Sequence, residues 1–183
     1  MKHRSIPTPR KAKLFCSLIY AECGTLDMVL ERLEGLWGQI EFISARMDFS
    51  HTRYYEKEMG SPLYRKFLTF VHCIEQEVLS DTKWTAMEVE REFLAPQGGR
   101  SVNIDPGLLL PDKLVLATTK PCAHRPFLGK GIYADLTLIF EHGSYCVLPW
   151  TYPDYAASET RTMFNILRNR HRVESRWEQG LGA

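Results

Sequence analysis

The sequence predicts a single α+β domain organised around one β-sheet. Short runs of strand length, either apolar or alternating, are separated by segments that carry an apolar residue every three or four positions, which is the period of a helix. The 183 residues are 44% hydrophobic and 25% charged, an ordinary composition for a globular protein. We expect this domain to span residues 13–178 and to follow a basic tail at residues 1–12.

The domain begins with three predicted strands and one helix, which lies between the first and the second strand in the sequence. KLFCSLIYA at 13–21 is a nearly continuous apolar run, which is typical of a central strand. A helix should follow it, because Thr25 can cap an apolar stripe that Gly38 then ends. Alternating residues predict strands at 39–49 and 63–74, joined by a polar and aromatic connection.

A second helix and a fourth strand complete a recognisable unit. Ser80 or Asp81 can cap a helix that runs through Leu94 and ends at PQGG. SVNIDPG at 101–107 predicts a short strand that runs into a tight turn, with proline at its first corner and glycine at the next. The order β-α-β-β-α-β is that of a ferredoxin-like fold, so we expect helices to cover one face of its sheet.

A β-hairpin and a terminal helix extend this unit. Residues 111–120 fit a helix or a strand equally well. Residues 133–140 alternate, His142-Gly143 forms a two-residue turn, and SYCVLPW returns. Ser158 is placed to cap the last helix. The apolar residues of that helix are Met163, Phe164, Leu167 and Trp177.

The charges and cysteines bear on location and partners. The net charge is only +1, but residues 1–13 carry five cations and no acid, and residues 161–183 carry five arginines against Glu174 and Glu178. These ends suit either binding to nucleic acid or simple solvation, and we favour solvation. Five cysteines without a C-x-x-C pair indicate free thiols, and no run has the length of a membrane span, so we expect a cytoplasmic protein.

Several enzyme classes are excluded by missing motifs. The sequence contains no phosphate-binding G-x-x-x-x-G-K-[ST] loop, no G-x-G-x-x-G after the first strand, no H-E-x-x-H and no G-x-S-x-G. His51, His72 and His124 do not begin an H-x-[ST] motif, and the six histidines are far apart in sequence. We therefore predict no metal site and leave the cofactor open.

The segment GGRSVNIDPG carries the first candidate site. On a strand, Asn103 and Asp105 share one face and should lie together near a strand end, where open α/β sheets bind ligands. Arg100 is then close enough to hold an anion. A turn stabilised by an aspartate side chain, with no ligand, explains the same residues.

The segment KPCAHRPFLGK carries the second candidate site. Lys120, His124 and Arg125 can donate to a phosphate or a carboxylate. Cationic neighbours keep the His124 imidazole neutral, so it suits a general base or acid with Asp105 as its partner or as a second base. The alternative is a solvated basic loop.

Two aromatic segments and one helix pair complete the candidate site. WTYPDY at 150–155 and YYEKEMG at 54–60 combine aromatic and acidic side chains that can form a pocket wall, although aromatic residues also cap cores. A lysine and a glutamate seven positions apart on the second helix can enter the same pocket or form a surface ion pair. The candidate residues of these segments are Tyr55, Glu58, Lys83, Glu90, Tyr152, Asp154 and Tyr155.

Five segments occur in an order that resembles one bacterial family, catalogued as domain of unknown function 4416. They are YYEKEMG, NIDPG, KLVLATTK, HRPFLGKGIYADLTL and WTYPDY, and the resemblance extends nearly end to end. The chain departs from the family at Ala86-Met87, where members tend to have Thr-Asn, and at Pro126-Phe127, where they often have Ile-Tyr. The resemblance implies no established activity, but it implies that these segments form a pocket.

The combined features predict a cytoplasmic domain that binds a small, phosphate-bearing anionic ligand. The pocket would be built from the NIDPG, HR and WTYPDY segments. The alternative is an adaptor that binds a protein or nucleic acid through the basic tail and the arginine-rich last helix. The sequence does not decide between an enzyme and a binding protein, and it fixes neither the cofactor nor the oligomeric state.

Overall fold

The chain folds around one antiparallel sheet. The computed structural model describes residues 9–21, 24–95 and 98–178. The strands of these residues are β1 (Ala12–Ala21), β2 (Ile40–Ile43), β3 (Met47–Asp48), β4 (Leu63–Ile74), β5 (Val102–Leu109), β6 (Lys113–Thr118), β7 (Phe127–Gly129), β8 (Ile132–Glu141) and β9 (Ser144–Val147). The helices are α1 (Leu26–Trp37), α2 (Glu56–Met59), α3 (Leu79–Glu92), α4 (Pro153–Ala156) and α5 (Ser158–Glu178). Among the described residues, none of the helices combines the length and the apolar composition of a membrane span.

The sheet has β1 near its middle. The strand order is β2-β4-β1-β5-β6-β8-β7, with β3 paired to β4 and β9 paired to β8. β1 lies between β4 and β5 and is buried from Ala12 to Tyr20. The predicted central strand at 13–21 is therefore confirmed, since a strand that is apolar on both faces needs cover on both.

Helices cover both faces of this sheet. On one face α1 and α3 pack on β1, where Leu18 contacts the core that contains Leu33. On the opposite face α4 and α5 pack on the same strand, and the rings of Phe15 and Phe164 lie 5.3 Å apart. The prediction of helices on one face is therefore wrong, because the apolar stripe of α5 also needs a partner surface.

Three further elements match the sequence closely. β4 spans the predicted strand at 63–74, and α1 ends where Gly38 adopts a φ of 86°. The predicted hairpin forms between β8 and β9, with His142 and Gly143 both at positive φ, as a tight two-residue turn requires. The ambiguous segment at 111–120 contains the strand β6.

Two predicted boundaries are wrong. A 3₁₀ turn at Gln76–Val78 runs directly into α3, so Ser80 and Asp81 lie inside the helix and do not cap it. The predicted strand at 39–49 is broken into β2 and β3, because the Ser44 hydroxyl accepts a hydrogen bond from the Phe67 N–H at 2.9 Å between them. The basic residues 1–8, Cys23, residues 96–97 of PQGG and the Trp177 side chain lie outside the described residues.

The DPG segment at 105–107 is the interior of β5. β5 pairs with β1 throughout this segment, so the predicted tight turn is wrong. Gly107 lies against Phe15, and a Cβ atom added there would be 2.5 Å from ring carbons of Phe15 and from the carbonyl oxygen of Val115. Glycine is therefore needed here for close approach of the backbone.

β5 and β6 pair at one end only. Their ladder covers residues 107–109 of β5, and Pro106 has no N–H with which to extend it. At Ile104 two side chains of α3 take the place of a strand. Glu90 Oε1 accepts from the Ile104 N–H at 2.6 Å, and Lys83 Nζ donates to the Ile104 carbonyl oxygen at 2.7 Å. The two strands therefore separate and leave a space between them.

A bulge in β8 turns one acidic side chain toward this space. Leu136 and Leu138 pair with successive residues of β6, so Thr137 is an extra residue in the ladder. Leu138 packs under α4 and α5, whereas Leu136 packs in a cluster on the α3 face. Simple alternation would place Asp135 and Leu138 on opposite faces of the sheet. Because Thr137 is an extra residue, the two side chains lie on the same face.

Replacing Gly107 with alanine should lower the free energy of unfolding by roughly 1–3 kcal/mol, because Phe15 or the β6 backbone must move to admit the methyl group. Gly35→Ala is the matched control, since it lies inside α1 with no atom within 4 Å of its added Cβ. This control should stabilise the protein by about 0.5–1 kcal/mol. Urea unfolding measures both, and an unchanged midpoint for Gly107→Ala would contradict the close packing.

Candidate functional site

A cavity of about 450 Å³ opens between the separated parts of β5 and β6. Helix α3 contributes one side, the loop at 49–55 contributes a second, and the start of α4 at 152–155 contributes a third. The lining mixes charged groups, hydroxyl groups and aromatic rings. Its size is within the range of sites for small molecules.

Ten of the thirteen predicted site residues line this cavity. They are Tyr55, Lys83, Glu90, Arg100, Asn103, Asp105, Lys120, Tyr152, Asp154 and Tyr155. Glu58, His124 and Arg125 do not line it, but each lies close to a lining carboxylate or guanidinium. The fold thus brings together segments that are far apart in sequence.

Lys83 and Asp105 form an ion pair at the cavity wall. Lys83 Nζ is 2.8 Å from Asp105 Oδ1, and only 6% of the lysine side chain and 27% of the aspartate side chain are exposed. Burial acts to lower the pKa of Lys83 and to raise that of Asp105, but their mutual attraction outweighs it, so the pKa of Lys83 is raised and that of Asp105 is lowered. Asn103 Nδ2 also donates to Asp105 Oδ2 at 2.7 Å. Asp105 is therefore ionised at neutral pH.

Arg100 is held between two carboxylates. One nitrogen of its guanidinium donates to Glu90 Oε2 at 2.7 Å, and its Nε lies 3.0 Å from Glu58 Oε1. Burial acts to lower the pKa of Arg100, but these carboxylates raise it. The charge of Arg100, which we predicted would hold an anion, is therefore neutralised by the protein itself.

Arg65 of β4 also lines the cavity and was not among the predicted site residues. This arginine is 6% exposed, and its guanidinium lies 2.8 Å from Asp154 Oδ2 and donates to Ser17 Oγ at 2.7 Å. The aromatic rings within 5.5 Å of its guanidinium carbon are those of Phe49, Phe67 and Tyr155. The signal that could have found it is an arginine on an otherwise apolar face of a predicted strand.

Asp135 of β8 was also missed, because the bulge turns it to the cavity. It is 1% exposed and binds Arg125, whose Nε donates to Asp135 Oδ2 at 2.9 Å. The same guanidinium donates to the Tyr152 hydroxyl at 2.6 Å. Arg125 is therefore a support for the cavity wall, with its charge already neutralised.

His124 lies outside the cavity lining. Its ring stacks on Trp150 with centroids 4.6 Å apart, and its Nε2 is 3.9 Å from Asp135 Oδ1. Within the described residues its carboxylate neighbour is thus Asp135, in place of the predicted partner Asp105. Of the two predicted catalytic residues, Asp105 is the one that faces the cavity.

Lys120 is exposed at the cavity rim, two residues beyond the end of β6. Its Nζ lies 3.9 Å from the centroid of the Tyr54 ring, a cation–π contact. In the part of the chain that the structure describes, it is the one lining cation without a carboxylate partner. Thr118 and Thr119 precede it and add hydroxyl groups to the rim.

Three tyrosine hydroxyl groups of the lining are neutral. Burial raises the pKa values of Tyr55, Tyr152 and Tyr155, so these phenols stay protonated at neutral pH. Across residues 9–21, 24–95 and 98–175, no three His, Cys, Asp or Glu side chains are grouped to hold a metal ion. The cavity therefore offers hydrogen-bond donors and acceptors and one unpaired positive charge.

The fold and the cavity define an α+β domain with a polar pocket whose walls are linked by ion pairs. The chain belongs to the family described as Domain of unknown function (DUF4416), whose model matches residues 10–171. The predicted resemblance is confirmed by this match. No curated protein and no solved structure matches the chain.

Lys83→Met should destabilise the protein by about 3–5 kcal/mol, because it leaves the half-buried Asp105 without its cation and removes the donor to the β5 edge. Lys113→Met is the matched control, since Lys113 forms an exposed pair with Asp112 at the other end of β6. The control should cost less than about 1 kcal/mol. Equal urea midpoints for the two variants would refute a structural role for the Lys83 pair.

Asp105→Asn removes the charge of Asp105, and the effect of this change on stability should depend on pH. The pKa of Asp105 in the folded state lies below its unfolded value, so its stabilisation is present above about pH 4 and is lost as the pH falls through the folded pKa. The stability difference between wild type and variant should therefore shrink below about pH 4, because a protonated aspartate resembles asparagine. Urea unfolding over a pH series measures this difference, and one that stays constant would exclude the contribution of the charge.

Proposed function

We propose that the protein binds a small ligand with a phosphate or similar anionic group in this cavity. The observation that carries the proposal is the unpaired charge of Lys120 at the rim of a cavity whose other lining cations are paired. Lys83 is paired with Asp105, Arg65 with Asp154, and Arg100 with Glu90 and Glu58. An anion bound at Lys120 would complete the only ion pair that the described lining leaves open.

The basic residues that we predicted to hold the anion have two different roles in this proposal. Lys120 contacts the anion directly. Arg100 and Arg125 hold the walls, since both are already bound to carboxylates. Asn103, Asp105 and Tyr152 offer hydrogen-bonding groups to the rest of the ligand. This division supports a binding site that is formed before the ligand arrives.

One observation favours ligand binding over an adaptor role. Three of the five arginines of α5 bond within the domain, as Arg161 donates to the Ala156 carbonyl, Arg168 to the Pro111 carbonyl and Arg170 to Glu174. Side chains used in this way are less available to nucleic-acid phosphates. The exposed Arg172 remains for such a partner.

The proposal also includes a ferredoxin-like fold and a cytoplasmic location. The strand order β2-β4-β1-β5 with antiparallel pairs, joined through α1 and α3, supports a ferredoxin-like unit over residues 12–109. The free thiols of Cys16, Cys73, Cys122 and Cys146 support a reducing, cytoplasmic environment.

Lys120→Ala tests the proposal against Lys113→Ala, which removes the same charge at the far end of β6. Wild-type protein should gain about 2.7 kcal/mol of stability from a phosphate-bearing compound at a hundredfold excess over its Kd, which raises Tm by roughly 5–10 °C. The Lys120 variant should bind about 10–100-fold more weakly, since a hydrogen bond to a charged group is lost, whereas the Lys113 variant should match wild type. Thermal unfolding with inorganic phosphate, sugar phosphates and nucleotides measures these shifts. Equal shifts in both variants, or none in wild type, would overturn the anion site.

A further inference from the structure

Asn103 and Asp105 form an adjacent pair of hydrogen-bonding groups on the cavity wall. They are two residues apart on β5, both line the cavity, and their side chains are joined by the 2.7 Å hydrogen bond from Asn103 Nδ2 to Asp105 Oδ2. Each carboxylate oxygen can accept a second hydrogen bond. In the described residues the Oδ1 atom of Asn103 receives no donor. The pair therefore presents neighbouring acceptors and one spare amide N–H.

Such acceptors need a ligand with hydrogen-bond donors, either hydroxyl groups or an ammonium group. The charges of the residues that line the cavity favour hydroxyl groups over an ammonium group. Lys83 neutralises Asp105, and the other lining carboxylates of Glu90, Asp135 and Asp154 also have a cation partner. An ammonium group would lose its hydration without meeting an unpaired carboxylate, which is costly. Neutral hydroxyl groups meet no such cost.

We infer that the ligand is a phosphorylated sugar or polyol whose vicinal hydroxyl groups bind Asp105 and Asn103 while its phosphate binds Lys120. Two adjacent side chains with both acceptor and donor atoms match two hydroxyl groups on neighbouring carbons. The rings of Tyr54 and Tyr55 on the same cavity provide apolar surface for the carbon skeleton. The inference rests on the proposed function, because it takes the anion site at Lys120 as given.

Matched pairs of sugar phosphates test the inference. Ribose 5-phosphate is compared with 2-deoxyribose 5-phosphate, and glucose 6-phosphate with 2-deoxyglucose 6-phosphate, by titration calorimetry. In at least one pair the full sugar should bind about tenfold more tightly, since each deoxy compound lacks a hydroxyl group of the vicinal set. Inorganic phosphate should bind more weakly than either member of that pair.

Asn103→Ala should remove this preference and leave the Lys83–Asp105 ion pair in place. In the variant the two members of the pair should bind within about twofold of each other, because the shared hydroxyl contact is lost. Asn169→Ala, on the exposed side of α5, is the matched control and should keep the tenfold preference. A urea midpoint near that of wild type shows that the Asn103 variant is folded.

The outcomes separate this inference from the proposed function. Equal binding of full and deoxy sugars that is still weakened by Lys120→Ala would overturn the inference and leave the anion site standing. Tighter binding of phosphoethanolamine than of every sugar phosphate would also overturn it, in favour of an amine. Failure of every phosphate compound, including inorganic phosphate, would overturn both. A tenfold preference that survives in Asn103→Ala would show that other residues bind the hydroxyl groups.

Discussion

The contact between two side chains of α3 and the backbone of Ile104 determines the shape of this molecule around its cavity. A strand edge buried without partners would cost several kilocalories per mole, so β5 needs donors and acceptors where β6 leaves it. Glu90 accepts from the N–H and Lys83 donates to the carbonyl oxygen of the same residue. These two side chains supply the hydrogen bonds that β5 lacks where it separates from β6. The separation of the two strands creates the cavity.

The same constraint explains why charge lies so deep in a small domain. A lysine and a glutamate that replace a strand are themselves buried, so each needs an opposite charge within reach. Asp105 supplies one for Lys83, and Arg100 supplies one for Glu90. Asp105 belongs to β5, and Arg100 also binds Glu58 of α2. The residues that neutralise Lys83 and Glu90 are therefore part of the neighbouring cavity walls. The cavity wall is thus built from groups that the fold already requires.

A second support acts from the opposite wall. In the bulged part of β8, the carbonyl groups of Leu136 and Thr137 accept hydrogen bonds from the Trp150 indole and the Thr151 hydroxyl. The WTYPDY segment is therefore fixed by its first two residues, while Tyr152 and Asp154 bind Arg125 and Arg65. Lining groups held in this way lose little conformational freedom when a ligand binds.

The sequence could predict what depends on local periods and missed what depends on distant partners. The long apolar run of β1 and the alternation of β4 are strong signals, and both strands were located. The DPG segment carries turn chemistry, but pairing with β1 and the open edge at Pro106 override it. Asp135 follows a simple alternation in the sequence, and only the extra residue in β8 reverses its face.

Paired and unpaired charges also act over different distances. The field of an ion pair falls off faster than that of a single charge, so the pairs around Lys83, Arg65 and Arg100 bind at contact but attract little from afar. Lys120 has no such compensation in the described lining and stands exposed at the rim, where screening limits its reach to about 8–10 Å. On the proposed function, an anionic ligand would therefore be drawn first to the rim. In the inferred binding mode, Asp105 and Asn103 would contact its neutral groups once it is inside.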